Sequence, residues 1–399
     1  MITDLVLSVL AAPVSVANAY LLSLTLLSWR LPPRLAQKSS VRFAVVVPAH
    51  NEEDGIAATV ESLLALDYPG DHFAVIVVAD NCSDETAVRA ERAGARVLVR
   101  HDLERRGKGY ALAHAFETVT PEVDAVVVVD ADTLVSPNLL RAFAGRIEAG
   151  ALAVQADYGV RNPNASWRTR LMAIAFGAFH VLRSLARERL RLSVGLRGNG
   201  MCFTTRVLSL VPHDAFSIVE DVEYGLKLGE AGHRVYYAPE AHVYGEMVSS
   251  SRASRSQRER WEKGRAALAR TRGLPLLPKA VMRRDLVLLD LAIDILVPPL
   301  STLAIWVIAG LFAALTSSYF LAQAVSFHIW IANLLALLFY VLRGWSLSGT
   351  GARGLLELAC APFYVGWKLW MRLRQSETPR DWVRTAREAR PGVALIERR

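Results

Sequence analysis

Cysteine is scarce in this chain. Cys82, Cys202 and Cys360 lie far apart with no CxxC among them, so neither a disulfide framework nor a structural zinc site can be read, and a reducing compartment is the simplest inference. Lysine is scarce too: only six of the 46 basic residues are Lys, a bias to which we attach no functional consequence. No GxGxxG follows the first expected strand, and Gly107-Lys108-Gly109 lacks the spaced glycine before it and the Ser/Thr after it. Dinucleotide-binding and P-loop sites are therefore excluded. What the chain has is apolar residues: 52% of 399. Its mean hydropathy of +0.25 is too high for an ordinary soluble enzyme and too low for spans alone. Two solvents are being averaged, and disorder and collagen-like repeats are ruled out.

Leu5 to Leu27 runs 23 residues without a charge, enough to span a bilayer. A signal peptide fits poorly, since there is no basic n-region and Trp29-Arg30 stands where a small-residue cleavage site belongs. Ile295 to Leu315 and Tyr319 to Leu342 are two more uncharged runs, separated by Thr316-Ser317-Ser318, and read as a transmembrane hairpin. Arg30, Arg34, Lys38 and Arg42 after the first span, against Asp4 before it, put the central region in the cytoplasm. The stretch 354–371 contains Glu357 and Lys368 and precedes a basic tail, 372–399. It reads as an interfacial or re-entrant helix, with a fourth span as the alternative. The expected organisation is thus an N-terminal span (1–30), a cytoplasmic α/β domain including interfacial helices (40–285), a hairpin (286–343), then 354–371 and the tail.

Within the central region, Val41 to Pro48, Ala74 to Ala79, Arg96 to Val99 and Ala125 to Val129 are short β-rich runs, alternating with helical stretches such as Gly55 to Leu66 and Lys108 to Thr118. This pattern predicts a mostly parallel, Rossmann-like sheet wrapped by helices. Ligands of such sheets sit beyond the carboxyl ends of the strands. Those ends carry His50-Asn51-Glu52-Glu53, Asp80-Asn81-Cys82-Ser83-Asp84 and Asp130-Ala131-Asp132. One such carboxylate is commonly a helix cap, as Asp84 or Ser83 could be. Three acidic ends in register repel one another unless a cation or a hydrogen-bonding ligand compensates, and the oxygen ligands suit Mg²⁺ or Mn²⁺.

The combination PAHNEE at Pro48, VVADNCSDET at Val77, RRGKGYAL at Arg105, VVVVDAD at Val126, GNGMCF at Gly198, VEDVEYG at Val219 and QRERW at Gln257 resembles the family 2 inverting glycosyltransferases, in family order over most of Phe43 to Arg270. That resemblance implies a GT-A fold, a nucleotide sugar (a UDP-sugar) as donor, a divalent metal, and a glycolipid or growing polysaccharide as acceptor at the membrane. It assigns Asp80 and Glu52 to the donor, with Asp80 at its uracil or ribose. Asp130 and Asp132 would hold the metal and donor phosphates, Asp132 as direct ligand. Asp221, from Glu220-Asp221, would be the general base. Gln257, Arg260 and Trp261 would hold the pyrophosphate and the acceptor end, Asn199 and Gly200 would line the acceptor pocket, and Lys108 would approach the diphosphate.

Plainer readings stand beside these. Glu220 and Asp221 could be solvated residues in the first turn of a helix. The basic run Arg252 to Arg272 could be a membrane-surface helix, which suits Trp261 as well. His50 reads as a loop hydrogen-bonding residue. His242 is a candidate metal ligand against an ordinary strand-end histidine. The stretch Ser166 to Arg191 sets Phe176, Phe179 and Leu182 beside Arg183 and Arg187, for which packing is the default.

The large synthases of this family carry a gating loop that has no clear counterpart between Arg272 and Asp285. The few spans likewise argue against autonomous polymer export. Single transfer and short polymerisation both fit. The alternatives are a nucleotidyltransferase, whose basic signature loop is not met by the acidic His50 to Asp54, and an inactive membrane scaffold that binds nucleotide sugar. A nucleic-acid binder, suggested by a net charge of +8, is weakest because the basic clusters adjoin apolar segments.

Overall fold

Val45 and Val47 face one side of strand β1 (Phe43–Ala49), Ala44 and Val46 the other, and all four are wholly buried. A strand covered on both faces must lie inside a sheet with helices on each side. The computed structural model, which describes residues 2–36, 39–247, 261–321, 325–362 and 366, shows that arrangement. Strands β2 (Phe73–Asp80), β3 (Arg96–Arg100) and β4 (Ala125–Val128) run parallel with β1. Beyond β4 the eight-stranded sheet becomes mixed, in the order β3-β2-β1-β4-β7-β6-β8-β5, with β5 (Thr133–Val135), β6 (Ala153–Val160), β7 (Met201–Thr204) and β8 (Val235–Gly245). β7 is antiparallel to both β4 and β6, β6 and β8 are parallel, and β5 is antiparallel to β8.

Before the sheet comes helix α1 (Ile2–Leu27). Helices α2 (Ile56–Leu64), α3 (Thr86–Arg92) and, after β5, α5 (Leu139–Glu148) cover one face. The other face is covered by α4 (Lys108–Val119), α8 (Thr205–Leu210) and α9 (Glu220–Glu230), through Leu112, Phe116, Val207, Tyr224 and Leu228. Between β6 and β7, α6 (Trp167–Phe176) winds through a π-helical stretch, Gly177–Leu182, into α7 (Arg183–Arg189). The expected strands and the helices at 56 and 108 are where the sequence put them, to within one or two residues at most strand ends.

After β8, helix α10 (residues 261–268) continues through a π-helical turn into α11 (Leu274–Arg283), followed by α12 (Leu286–Leu296), α13 (Leu300–Leu321), α14 (Val325–Leu347) and α15 (Gly351–Glu357). Among the described residues, α1, α13 and α14 are the helices long and apolar enough to cross a membrane. The expected turn at Thr316-Ser317-Ser318 is instead helical. Thr316 Oγ1 returns its hydrogen bond to the Phe312 carbonyl at 2.9 Å, so a short polar residue is satisfied without breaking the helix. The start moves from Ile295 to Leu300 because Pro298-Pro299 separates the two helices. Of the stretch 354–371, the described part includes the end of α15 and a 3-10 turn, Leu358–Cys360, while residues 363–365 and 367–371 lie outside the described residues, as does the tail.

The apolar helices dock on the π-helical stretch. A Cβ on Gly177 would collide with the Gly344 carbonyl, and one on Gly344 with Ala178, so only glycine lets the two backbones approach this closely. Polar ties complete the junction. Arg187 donates to Tyr20 Oη at 2.5 Å, Tyr20 donates to Asp290 Oδ1 at 2.8 Å, and Arg183 Nε donates to Tyr340 Oη at 2.9 Å.

Candidate active site

The carboxyl ends of β1, β2 and β4 open on one cavity. Asn51 and Asn81, the residues at which the chain leaves the first two strands, have φ of 54° and 52°, the left-handed conformation that Asn tolerates. These turns bring His50 and Glu52 to the wall, with His50 Nδ1 2.7 Å from the Asp80 carbonyl, the loop role expected of it. Asp80 also lines the cavity, and its Oδ1 accepts from Arg100 Nη1 at 2.6 Å and from Asn81 Nδ2 at 3.2 Å. Arg100 reaches Asp102 with its other nitrogen at 2.9 Å. Asp80 is thus fixed in orientation by a charged partner.

Asp130 and Asp132 follow β4 on the same wall, and Lys108, at the start of α4, extends between them and α9. Lys108 Nζ donates to Asp130 Oδ1 and to the Gly198 carbonyl, each at 2.5 Å, and lies 3.9 Å from Glu220 Oε1. Burial weakens its hold on the proton, but Asp130 and Glu220 more than offset this and keep the ammonium above the usual lysine range. Glu220 and Asp221 do occupy the first turn of α9, where the helix dipole favours acids, yet Glu220 is only 8% exposed. The solvated reading fails there. Burial pushes Glu220 up to about 8, with Lys108 opposing and Asp221 reinforcing. Burial raises Asp221 as well, against the Val222 backbone N–H and Lys108. Trp261, exposed, lines the cavity from the start of α10. Gln257 and Arg260 lie outside the described residues.

Three expected positions are not where the resemblance implied. Asn199 is wholly buried beneath the wall: its Nδ2 donates to Thr133 Oγ1 at 2.8 Å and its Oδ1 accepts from the Asp130 backbone N–H at 3.2 Å. It shapes the Asp130–Asp132 turn from below and does not line the cavity. Gly200, at φ +68°, is packed where a Cβ would meet Val243 and Ala156, so it too is backing and not pocket. His242 is not brought to the aspartates. A bulge between β6 and β8 shifts the pairing from Ala156↔Ala238 to Asp157↔His242, and His242 Nδ1 lies 3.0 Å from Asp157 Oδ2, away from the cavity lining.

Sequence reasoning also passed over Tyr158 and Arg197 on the cavity wall. Neither sits in a motif, and no strand was expected over residues 153–160. Asp130 and Asp132 fit a divalent ion in one way. Among the described residues no three His, Cys, Asp or Glu side chains are grouped closely enough to hold a metal by themselves, and two carboxylates with the remaining positions left to phosphates and water are a donor set that Mg²⁺ or Mn²⁺ accepts.

Residues 41–264 match the family described as glycosyltransferase like family 2. The chain belongs to that family. Among relatives, glycosyltransferase AglD of Haloferax volcanii is 36% identical over 125 residues, 30% of this chain and 20% of that protein. Beta-monoglucosyldiacylglycerol synthase of Synechocystis sp. is 28% identical over 247 residues, 58% of this chain and 50% of that one. This family 2 member thus spans about half the length, or less, of these curated relatives. The solved structure of mannosyltransferase PcManGT from Pyrobaculum calidifontis, in complex with GDP-Man and Mn²⁺, superposes with a TM-score of 0.56 at 20% identity, over 86% of this chain and 98% of that one. The α/β fold is therefore GT-A-like, as the motifs implied.

Proposed function

We propose that this family 2 glycosyltransferase moves a sugar, with inversion, from a nucleotide sugar to a hydroxyl of a glycolipid or growing polysaccharide acceptor at the cytoplasmic membrane face. A UDP-sugar is the donor the motifs favour. The observation that carries this reading is the convergence of Asp80, Lys108, Asp130, Asp132 and Asp221 on one cavity at the carboxyl edge of the sheet. Asp80, held by Arg100, accepts hydrogen bonds from the base or ribose of the donor, and Glu52 stands beside it. Asp130 and Asp132 would hold the divalent ion, which when bound supplies positive charge against the departing diphosphate.

Asp221 takes the proton of the attacking hydroxyl as its oxygen bonds to the anomeric carbon, while the carbon–oxygen bond to the diphosphate breaks and its electron pair leaves with the phosphate. A single displacement from the face opposite the leaving group inverts the centre. Lys108, already cationic and poised between Asp130 and Glu220, adds charge where the diphosphate departs. The basic residues after α1 and the apolar α1, α13 and α14 support a cytoplasmic placement of the sheet, with residues 40–285 as the catalytic domain.

The test is nucleotide release by the purified chain in detergent, supplied with a panel of UDP-sugars, Mn²⁺ and membrane lipid extract. Release from one donor, abolished by chelator, is expected, and the mass of the product separates one added sugar from many. No release from any donor would overturn the reading.

A further inference from the structure

The cavity does not end at the carboxylates. It holds about 2200 Å³ and continues between the helices that follow the sheet, where its wall runs along α13 from Leu300 to Phe312. Those twelve steps of helix, at 1.5 Å each, cover roughly 18 Å, more than half of the ~30 Å hydrocarbon core of a bilayer. Ile308 and Phe312 on this stretch, and Leu338 and Leu342 of α14 that line the cavity with them, are exposed, so the far half is an apolar trough open at its side.

Between the two halves stands Phe179, with the guanidinium carbons of Arg197, Arg183 and Arg265 at 4.5, 4.7 and 5.1 Å from its ring centre. Asp294 takes Arg183 at 2.7 Å, Arg187 at 2.8 Å and Arg265 at 3.2 Å, and Asp290 takes Arg187 at 2.8 Å. Three guanidiniums thus share two carboxylates. Arg197, the fourth arginine of this belt, has no ion pair among the described residues. Its Nη2 donates to the Val194 carbonyl at 3.1 Å, while its Nε is shut off from solvent with no hydrogen-bond partner. Asp221 feels its field but forms no ion pair with it.

We propose that the acceptor is a membrane lipid carrying a phosphate between its hydrocarbon tail and the hydroxyl to be glycosylated, with the tail in the trough, the phosphate at Arg197 and the hydroxyl at Asp221. This deepens the function proposed above and rests on it. The order of the cavity is the order of such a molecule: apolar trough, cationic belt, carboxylate. A tail bearing only a neutral hydroxyl would leave an excess of buried positive charge uncompensated, which is costly. A phosphate compensates it through the paired donors of a guanidinium. An isoprenyl phosphate sugar and a glycerophospholipid both have this chemistry.

Binding is measured on the purified full-length chain in detergent, without nucleotide or metal, for an isoprenyl diphosphate, the isoprenol of equal length and a phosphatidyl lipid, with inorganic diphosphate as competitor. At least one phosphate-bearing lipid is expected to bind tenfold or more tightly than the isoprenol, and the tighter of the two names the tail. Arg197→Gln should remove that advantage and leave isoprenol binding unchanged. Ile308→Trp, at an exposed position on the wall of the trough, should weaken every lipid. The proposal is overturned if isoprenol binds as well as the phosphate-bearing lipids, if folded Arg197→Gln keeps the preference, or if inorganic diphosphate binds as tightly as the lipids. Should nucleotide release fail while phosphate selectivity holds, it is the glycosyl-transfer reading that falls and not the lipid site.

Discussion

Lys108 Nζ rests 2.5 Å from Asp130 Oδ1, and this contact ties the start of α4 to the end of β4. The ammonium offsets the repulsion that Asp130, Glu220 and Asp221 would otherwise impose on one another. It is also the positive charge the chain itself brings to the place where a diphosphate would leave. Lys108→Ala is therefore expected to lower kcat/KM for nucleotide release by roughly 100-fold, the order of effect seen when one stabilising donor is removed from a developing anion. Steady-state kinetics check this; a variant within threefold of the parent would place Lys108 outside the reaction.

Asp221→Asn should keep donor affinity and lose transfer, by about 10²- to 10⁴-fold, the usual range for a general base. The carboxyl must be ionised to accept a proton, and burial raises its pKa. The active fraction hence grows as pH rises through a value above the ordinary carboxylate range. The acid limb of the kcat/KM profile of the parent enzyme should accordingly lie above the ordinary carboxylate range, with activity lost as pH falls through it. A profile flat down to the ordinary carboxylate range, or a fully active Asn variant, removes Asp221 as base.

The strands and their acidic ends were legible because β1, β2 and β4 are buried on both faces and read as continuous apolar runs, which puts each following residue at the ligand edge. Asn199, Gly200 and His242 were not placed correctly for a physical reason. A position in a motif does not say which face of the loop reaches the cavity, and the bulge that carries His242 to Asp157 spans Pro239 to Ala241, where Pro239 marks an interrupted strand without fixing where the following residues pair. Arg197 was invisible for a different reason. Its lack of an ion pair depends on how α7, α10 and α12 share Asp290 and Asp294, a tertiary outcome that no local spacing encodes.

Asp294 is the hub of that junction, accepting from three arginines while itself 6% exposed. Burial raises its pKa, but Arg187, Arg183 and Arg265 overcome this and hold the carboxyl well below the usual range. Asp294→Asn leaves those guanidiniums buried without their anion, for which about 3–5 kcal/mol of destabilisation is expected. The surface pair Arg141–Asp67, also short at 2.7 Å but with the Asp67 side chain 64% exposed, provides the contrast. Asp67→Asn should cost less than about 1 kcal/mol. Thermal unfolding of the two variants in detergent measures the difference, and equal shifts would remove the special status of Asp294.

Two histidines each draw down the stability of the chain in acid. His180 is stacked on Tyr158 at 5.3 Å, and burial, joined by the charge of Arg197, pushes it down to about 3. His213 meets the edge of Phe116 at 5.3 Å, and burial pushes it down to about 4. Both start from 6.5 when unfolded, so between 6.5 and those values the unfolded chain binds protons that the folded chain refuses. Stability from this source is complete above pH 6.5 and declines as pH drops below it, by roughly 2 kcal/mol per histidine at pH 5. Glu220, raised to about 8 in the folded chain, acts with the opposite sign over the same range, so the histidine contribution is read as a difference between chains. His213→Leu, which keeps an apolar group against Phe116 and removes one titrating site, should gain stability relative to the parent between pH 7 and 5, by roughly 2 kcal/mol in thermal unfolding in detergent; an unchanged difference between the two chains over that range would show that His213 does not contribute.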